Sequence, residues 1–231
     1  MSHGNRNNGP PVPSRRRCSS VAGRLERWYQ ENGRSFGWRN RSASKYVRVV
    51  TEVLVQRTRA ETVDGMLRGF LRRFPGWAAL DRARASTLER VLKPIGLYRR
   101  RAKSLKGLAK YAASVRGRFP ADRDQLEQVT AVGQYVASAI LLFCHGQPEP
   151  LLDTNMARVL ERYFGPRQLA DIRHDPYLQQ LSRRVVAAGD PVVINWAILD
   201  LGAMVCKPRK PECNACPLKR GCQFRKQHPS A

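Results

Sequence analysis

Residues 129–158, VTAVGQYVASAILLFCHGQPEPLLDTNMAR, decide how the chain is read. A short turn ends at Gly133, and the segment after it sets Val136, Ala139, Ile140 and Phe143 at the i, i+3, i+4, i+7 spacing of an amphipathic helix. A proline-containing loop then brings one carboxylate, Asp153, to the start of a further helix. The order is helix, hairpin, helix, loop, helix. A glycine turn opening a helix in a basic chain suits the holding of a phosphate, and the acid across the loop suits acid–base chemistry. Taken alone, Asp153 reads first as an ordinary helix N-cap.

Charge narrows the partners. Lys and Arg number 42 against 18 Asp and Glu, a formal net charge of +24. Residues 1–19 hold four of the cations and no acid, so +20 remains without them. Such a field favours a polyanion, and nucleic acid leads over an anionic membrane or a merely solubilising surface. No apolar run approaches the roughly 20 residues needed to span a bilayer, and the N-terminal stretch lacks the apolar core of a signal peptide. An intracellular, reducing location (cytoplasm or nucleoid) is expected, which argues against a disulfide framework for the six cysteines. At 231 residues the chain suits one domain or two small ones, and a monomer is expected.

Residues 1–20, rich in Asn, Gly, Pro, Ser and Arg, read as a disordered basic arm. Helices follow at 21–31, 46–56, 62–74 and 80–93, with a compact aromatic turn from Phe36 through Trp38 to Arg39. In the 46–56 helix Val49, Val50, Val53 and Leu54 form one stripe, and Glu52 stands at its margin. Ser86 and Glu89 have the spacing of a capping box. Pro94 and Gly96 break the chain before a basic helix at 99–115. There Ala102, Leu105, Ala109 and Ala112 should face inward, and Arg99, Arg100, Arg101, Lys103, Lys106 and Lys110 largely outward. Further helices are expected at 154–164, at 176–188 behind an Asp175 N-cap, and at 192–203. No repeat and no strand-like alternation of useful length occurs, so the class is all-α.

Cys206, Cys213, Cys216 and Cys222 stand in a C-x6-C-x2-C-x5-C pattern within a Pro- and Lys-rich loop. Four thiolates so close together in a reducing compartment call for a metal, and zinc and an iron–sulfur cluster both accept such a set.

Together these features resemble the helix-hairpin-helix DNA glycosylase superfamily that includes endonuclease III and MutY. The family hairpin Leu-Pro-Gly-Val-Gly stands here as Val129, Thr130, Ala131, Val132 and Gly133, with the proline and the first glycine replaced. The resemblance implies a two-lobed all-α fold, with a helical-barrel lobe at 45–148 carrying the hairpin. Residues 21–44 plus 149–225 would form a second lobe with the cysteine loop. It implies that the four cysteines hold a [4Fe-4S] cluster, with a structural role. It implies double-stranded DNA carrying a mismatched or damaged base as the partner, with Val132, Gly133 and Gln134 at the phosphate-holding hairpin.

Within the resemblance Asp153 matches the superfamily's essential aspartate. In endonuclease III a lysine two residues past the hairpin's last glycine forms a Schiff base, and Tyr135 stands there instead. A phenol with a pKa of about 10 forms no imine, which points to a monofunctional glycosylase. The string Thr51-Glu52-Val53-Leu54-Val55-Gln56-Arg57-Thr58 is similar to the Glu-bearing segment of MutY and of archaeal T/G mismatch glycosylases, making Glu52 a second catalytic candidate. Gln56 matches a residue inserted into the DNA stack, with Arg57 and Thr58 expected in the same wedge, and Tyr98 in Ile95-Gly96-Leu97-Tyr98 matches a second wedge.

The compact length, Tyr135, Glu52 and the tail around Cys206 look like the thymine or uracil glycosylases acting on T/G and U/G mismatches. The alternatives are a MutY-like adenine glycosylase and a non-catalytic DNA-binding module. The adenine reading is expected to be disfavoured, since nine residues follow Cys222 where MutY carries its 8-oxoguanine-reading domain.

Overall fold

A computed structural model describes residues 11–229. Among them are twelve α-helices: α1 Arg15–Asn32, α2 Lys45–Val55, α3 Ala60–Arg73, α4 Trp77–Arg82, α5 Ala85–Leu92, α6 Tyr98–Ser114, α7 Arg123–Glu127, α8 Gln134–His145, α9 Thr154–Phe164, α10 Pro176–Val186, α11 Pro191–Met204 and α12 Gln223–Gln227. No strand occurs among the described residues, in keeping with the all-α expectation. No single helix among them is long and apolar enough to cross a membrane.

The chain divides into two compact units, Met1–Arg34 with Pro148–Ala231, and Ser35–Gln147. The continuous unit is built on the expected stripes. Val49, Val50, Val53 and Leu54 of α2 are buried, as are Ala102, Leu105, Ala109 and Ala112 of α6. They pack in one core with Val136 and Ile140 of α8. Each fully buried Val, Leu or Ile among them stabilises the fold by about 1.5–3 kcal/mol. Phe36 and Trp38 stack at 4.5 Å and belong to this core, whose unit begins at Ser35, ten residues ahead of the boundary expected near Lys45.

Three expectations fail in this region. The helix foreseen at 80–93 is broken, because Ala83 and Arg84 are extended and separate α4 from α5. Lys106 reaches in to the Asp81 carbonyl and, at 3.0 Å, to that of Ala83, and so satisfies the freed end of α4. Because α5 starts at Ala85, Ser86 lies inside it rather than at its N-cap, and no side chain caps the helix. Arg101 is 5% exposed and faces inward.

In the discontinuous unit α1, α9, α10 and α11 share a core that includes Leu25, Leu160, Leu181 and Ile198. The stretch expected as a disordered basic arm is helical in its last part. Residues 1–10 of it lie outside the described residues, and α1 already begins at Arg15, behind Ser14, whose hydroxyl accepts from the Arg17 amide. Cys18, Val21, Ala22 and Leu25 continue an i, i+3, i+4, i+7 face into the core, while the Arg17 guanidinium lies over the Tyr163 and Phe164 rings. Asp175 caps α10 as expected, accepting from Leu178 at 2.6 Å and from Gln168 and Leu169. At the end of this unit's first segment the buried Asp200 takes a two-point contact from Arg34, from its amide and its Nε, both at 2.8 Å.

Candidate active site

The hairpin runs from α7 to α8. Asp122 caps α7 by accepting from Gln125 at 2.9 Å. Arg123 then ties the two helices, donating to the Gln134 carbonyl and, at 3.1 Å, to Ser138 Oγ. Ala131, in place of the family's first glycine, still adopts the left-handed conformation, at φ 71°. The turn is therefore made without the residue that makes it easily. Gly133 opens α8 with no side-chain cap, and a Cβ there would meet nothing within 4 Å. Packing inside the chain thus gives no reason for that glycine. A bare helix N-terminus with open space at its first turn fits a close-approaching anion. Val132 departs from expectation: its side chain is 4% exposed in the core and its amide donates to the Val129 carbonyl at 2.9 Å. It holds the turn rather than facing a ligand. Gln134, at the first position of α8, is half-buried.

Packing of α2 on α8 brings together two of the sequence-derived candidates. Tyr135 Oη donates to Glu52 Oε2 at 2.8 Å, and Glu52 is 3% exposed. A carboxylate so far out of water needs such a donor.

At the C-terminal end of α2, Gln56 and Arg57 are exposed, and Arg57 is left-handed at φ 58°. The loop before α6 is left-handed at Gly96 and Leu97, at φ 67° and 47°. Here the exposed apolar side chain is Leu97, at 50%, whereas Tyr98 is half-buried against the core with the Arg99 guanidinium over its ring. Leu97 was missed because Tyr98 carried the aromatic signal; an apolar residue directly after a glycine in a break between helices was the available clue.

Asp153, in the other unit, is the N-cap of α9. Its Oδ1 accepts from the amides of Asn155 and Met156 at 2.9 and 2.8 Å, and its Oδ2 from Asn155 Nδ2 at 2.8 Å. Burial pushes its carboxyl pKa above the ordinary value, against the pull of those hydrogen bonds and of the Arg158 charge. The loop delivering Asp153 is held by Asn195 of α11, which accepts from the Leu151 amide at 2.6 Å and donates to the Glu149 carbonyl at 3.0 Å. Asn195 is fully buried in an apolar helix and left no mark in the pattern. Arg158 continues the chain of contacts from Asn155 Oδ1, at 2.8 Å, to the carbonyls of Gly202 and Cys206, at 2.7 and 2.8 Å. This requires α11 to lie tightly on α9: a Cβ at Gly202 would come within 2.9 Å of the Asn155 Cβ.

Cys206, Cys213, Cys216 and Cys222 are free and half-buried. Burial raises the Cys213 thiol pKa and pushes that of Cys216 to about 12, and the nearby cysteines raise both further, Cys206 and Cys222 acting on Cys213, and these two with Cys213 acting on Cys216. Arg162 meets this cluster by donating to Cys206 Sγ at 3.4 Å and to the Lys207 and Pro208 carbonyls, and the Arg162 carbonyl accepts from Cys222 Sγ at 3.2 Å. An all-sulfur donor set beside a guanidinium suits a thiolate-ligated group. Among the described residues no three His, Cys, Asp or Glu side chains converge closely enough to hold one metal ion.

The chain is similar to known proteins over most of its length. The chain is 37% identical over 213 residues to the thymine-DNA glycosylase of Aeropyrum pernix, a match covering 90% of this chain and 95% of that protein. It is 36% identical over 198 residues to the thymine/uracil-DNA glycosylase of Pyrobaculum aerophilum, covering 83% and 85%. A solved structure of a thermostable thymine-DNA glycosylase superposes with a TM-score of 0.81 at 27% identity, over 92% of this chain and 98% of that one. Residues 50–185, more than half of the sequence, match the family described as HhH-GPD superfamily base excision DNA repair protein, and the chain belongs to that family.

Proposed function

We propose that the chain is a monofunctional DNA glycosylase that removes thymine or uracil opposite guanine from double-stranded DNA. The observation that carries this reading is the Tyr135–Glu52 hydrogen bond. It fills the place of an imine-forming lysine with a phenol and sets a buried carboxylate behind it. The thymine- and uracil-glycosylase relatives support the choice of base.

Hydrolysis adds water oxygen to C1′ while the C1′–N bond breaks and its electron pair leaves with the base. Positive charge builds on the sugar as that bond stretches. Asp153 stabilises this charge and takes the proton of the attacking water, and a raised pKa makes it the better base. Tyr135 Oη, whose O–H donates to Glu52, offers its lone pairs to an N–H such as that on N3 of a flipped pyrimidine. Gly133, with the first amides of α8 including that of Gln134, holds a backbone phosphate. Gln56, Arg57 and Leu97 enter the stack where the base leaves it, and Tyr98 supports Leu97 from the core side. A weak mismatch pair lowers the extrusion cost and so contributes to selectivity.

Cys206, Cys213, Cys216 and Cys222 are assigned to a [4Fe-4S] cluster, which when bound ties together a loop with little core of its own. Arg162 neutralises the thiolates, and Lys207 and Arg209 meet DNA phosphates.

The test of the monofunctional reading is incubation with U·G and T·G duplexes, with and without borohydride. Base release that leaves an alkali-sensitive abasic site and no trapped protein–DNA adduct is expected. A trapped adduct, or intact pyrimidines in both duplexes, would overturn it.

A further inference from the structure

Arg101 was expected on the solvated face of α6, yet it is 5% exposed, and its acceptors identify what it does. Nη1 donates to the carbonyls of Ile95, at 2.6 Å, and Gly96; Nη2 donates to the Gln56 carbonyl and, at 2.5 Å, to Thr58 Oγ1. Thr58 Oγ1 in turn donates to the Ile95 carbonyl at 3.1 Å. One guanidinium therefore joins two loops far apart in sequence, 56–58 and 95–97. These loops carry the left-handed residues Arg57, Gly96 and Leu97 and the exposed Gln56 and Leu97 side chains. A left-handed residue other than glycine persists only where its surroundings hold it.

We propose that Arg101 is a positioning residue that locks these two loops to one another, so that Gln56 and Leu97 enter the DNA stack as a single rigid wedge. This rests on the reading above that both loops enter DNA. The acceptors are three carbonyls and a hydroxyl, with no carboxylate, and burial lowers the pKa of Arg101. The position thus sustains a desolvated cation for its planar fork of donors, which lysine's single ammonium cannot reproduce.

The experiment compares wild type with Arg101→Lys and Thr58→Ala on two duplexes, one with uracil opposite guanine and one with uracil opposite a tetrahydrofuran abasic analogue, where no pair has to be broken. Single-turnover uracil release is measured at saturating protein, and 2-aminopurine beside the target reports unstacking on binding. Arg101→Lys should slow release from U·G by about 10-fold or more, since small misplacements in a site have large effects on rate. Release from the unpaired uracil should stay within about 3-fold of wild type, because extrusion there needs little help. Thr58→Ala, which removes one arm of the set, should show the same pattern more weakly, and it carries the test if Arg101→Lys melts.

Equal slowing on both duplexes, or wild-type rates on both, would overturn the coupling. If wild type releases no uracil from either duplex, the glycosylase reading fails, and the 2-aminopurine signal decides on Arg101 alone. A wild-type signal lost in the variants supports the lock; a signal equal in all, or absent in wild type, overturns it.

Discussion

Glu52 and Asp153 are both acids withdrawn from water, yet the chain holds them by different means. Glu52 lies in mid-helix against an apolar core, and a phenol from another helix meets it. Asp153 sits at a helix start, where two amides and the Asn155 side chain already converge on it. The first arrangement makes a pair whose members depend on each other. The second makes a structural cap whose carboxylate has, in the proposed mechanism, chemical work besides, and an uncharged isostere can do the capping alone. Function and stability should therefore separate at Asp153 and stay joined at Glu52 and Tyr135.

The largest effect is expected from Asp153→Asn. Single-turnover base release should fall by about 10³-fold, within the range of a lost general base. The melting temperature and DNA affinity should barely change, because asparagine caps a helix as well as aspartate does. A large drop in melting temperature would merge the two cases.

Glu52→Gln and Tyr135→Phe come next, at about 10- to 100-fold each, and they should not add. A double-mutant cycle on release is expected to give a coupling of about 1–3 kcal/mol, the scale of a buried hydrogen bond to a charged group. Tyr135→Phe should also lower thermal stability, since it strips a buried carboxylate of a donor. Coupling near zero would mean that the two side chains act independently despite their 2.8 Å contact.

The pH profile sharpens the Asp153 side. Its folded pKa is raised, so the carboxylate is lost as pH falls through a value above the ordinary one. The acid limb of the release rate should accordingly lie above the pKa of a free aspartate, and a limb at or below that value would place the working base elsewhere. The same shift makes ionised Asp153 a small debit to stability, greatest once pH has risen past the folded pKa. Smallest is Ala131→Gly in the hairpin. Relieving a left-handed alanine should stabilise the fold by about 1 kcal/mol and raise the melting temperature by about 2–4 °C.

What the sequence reveals and what it hides follow from what leaves a periodic mark. The stripes of α2, α6 and α8 and the Asp175 cap were legible, because each depends on residues a few positions apart. Arg101 was misread because its four acceptors come from loops that the chain brings together only on folding, and an arginine on a helix pattern reads as solvated. Asn195 was invisible for the same reason, since it serves a loop 44 residues away. The start of α1 was masked by three arginines, of which Arg17 lies on aromatic rings rather than in water. In the hairpin the family's first glycine is replaced, yet Ala131 adopts the left-handed conformation all the same. There the hairpin abuts α6 so closely that a Cβ on Gly107 would approach the Thr130 carbonyl to 3.1 Å.

The measurement that tests the choice of base most directly is single-turnover release from duplexes carrying T·G, U·G, A·G and A·8-oxoguanine pairs, at one stated salt concentration. Thymine and uracil should be released opposite guanine while adenine stays in place. Release of adenine alone would contradict the pyrimidine reading and assign the Glu52–Tyr135 pair to a purine.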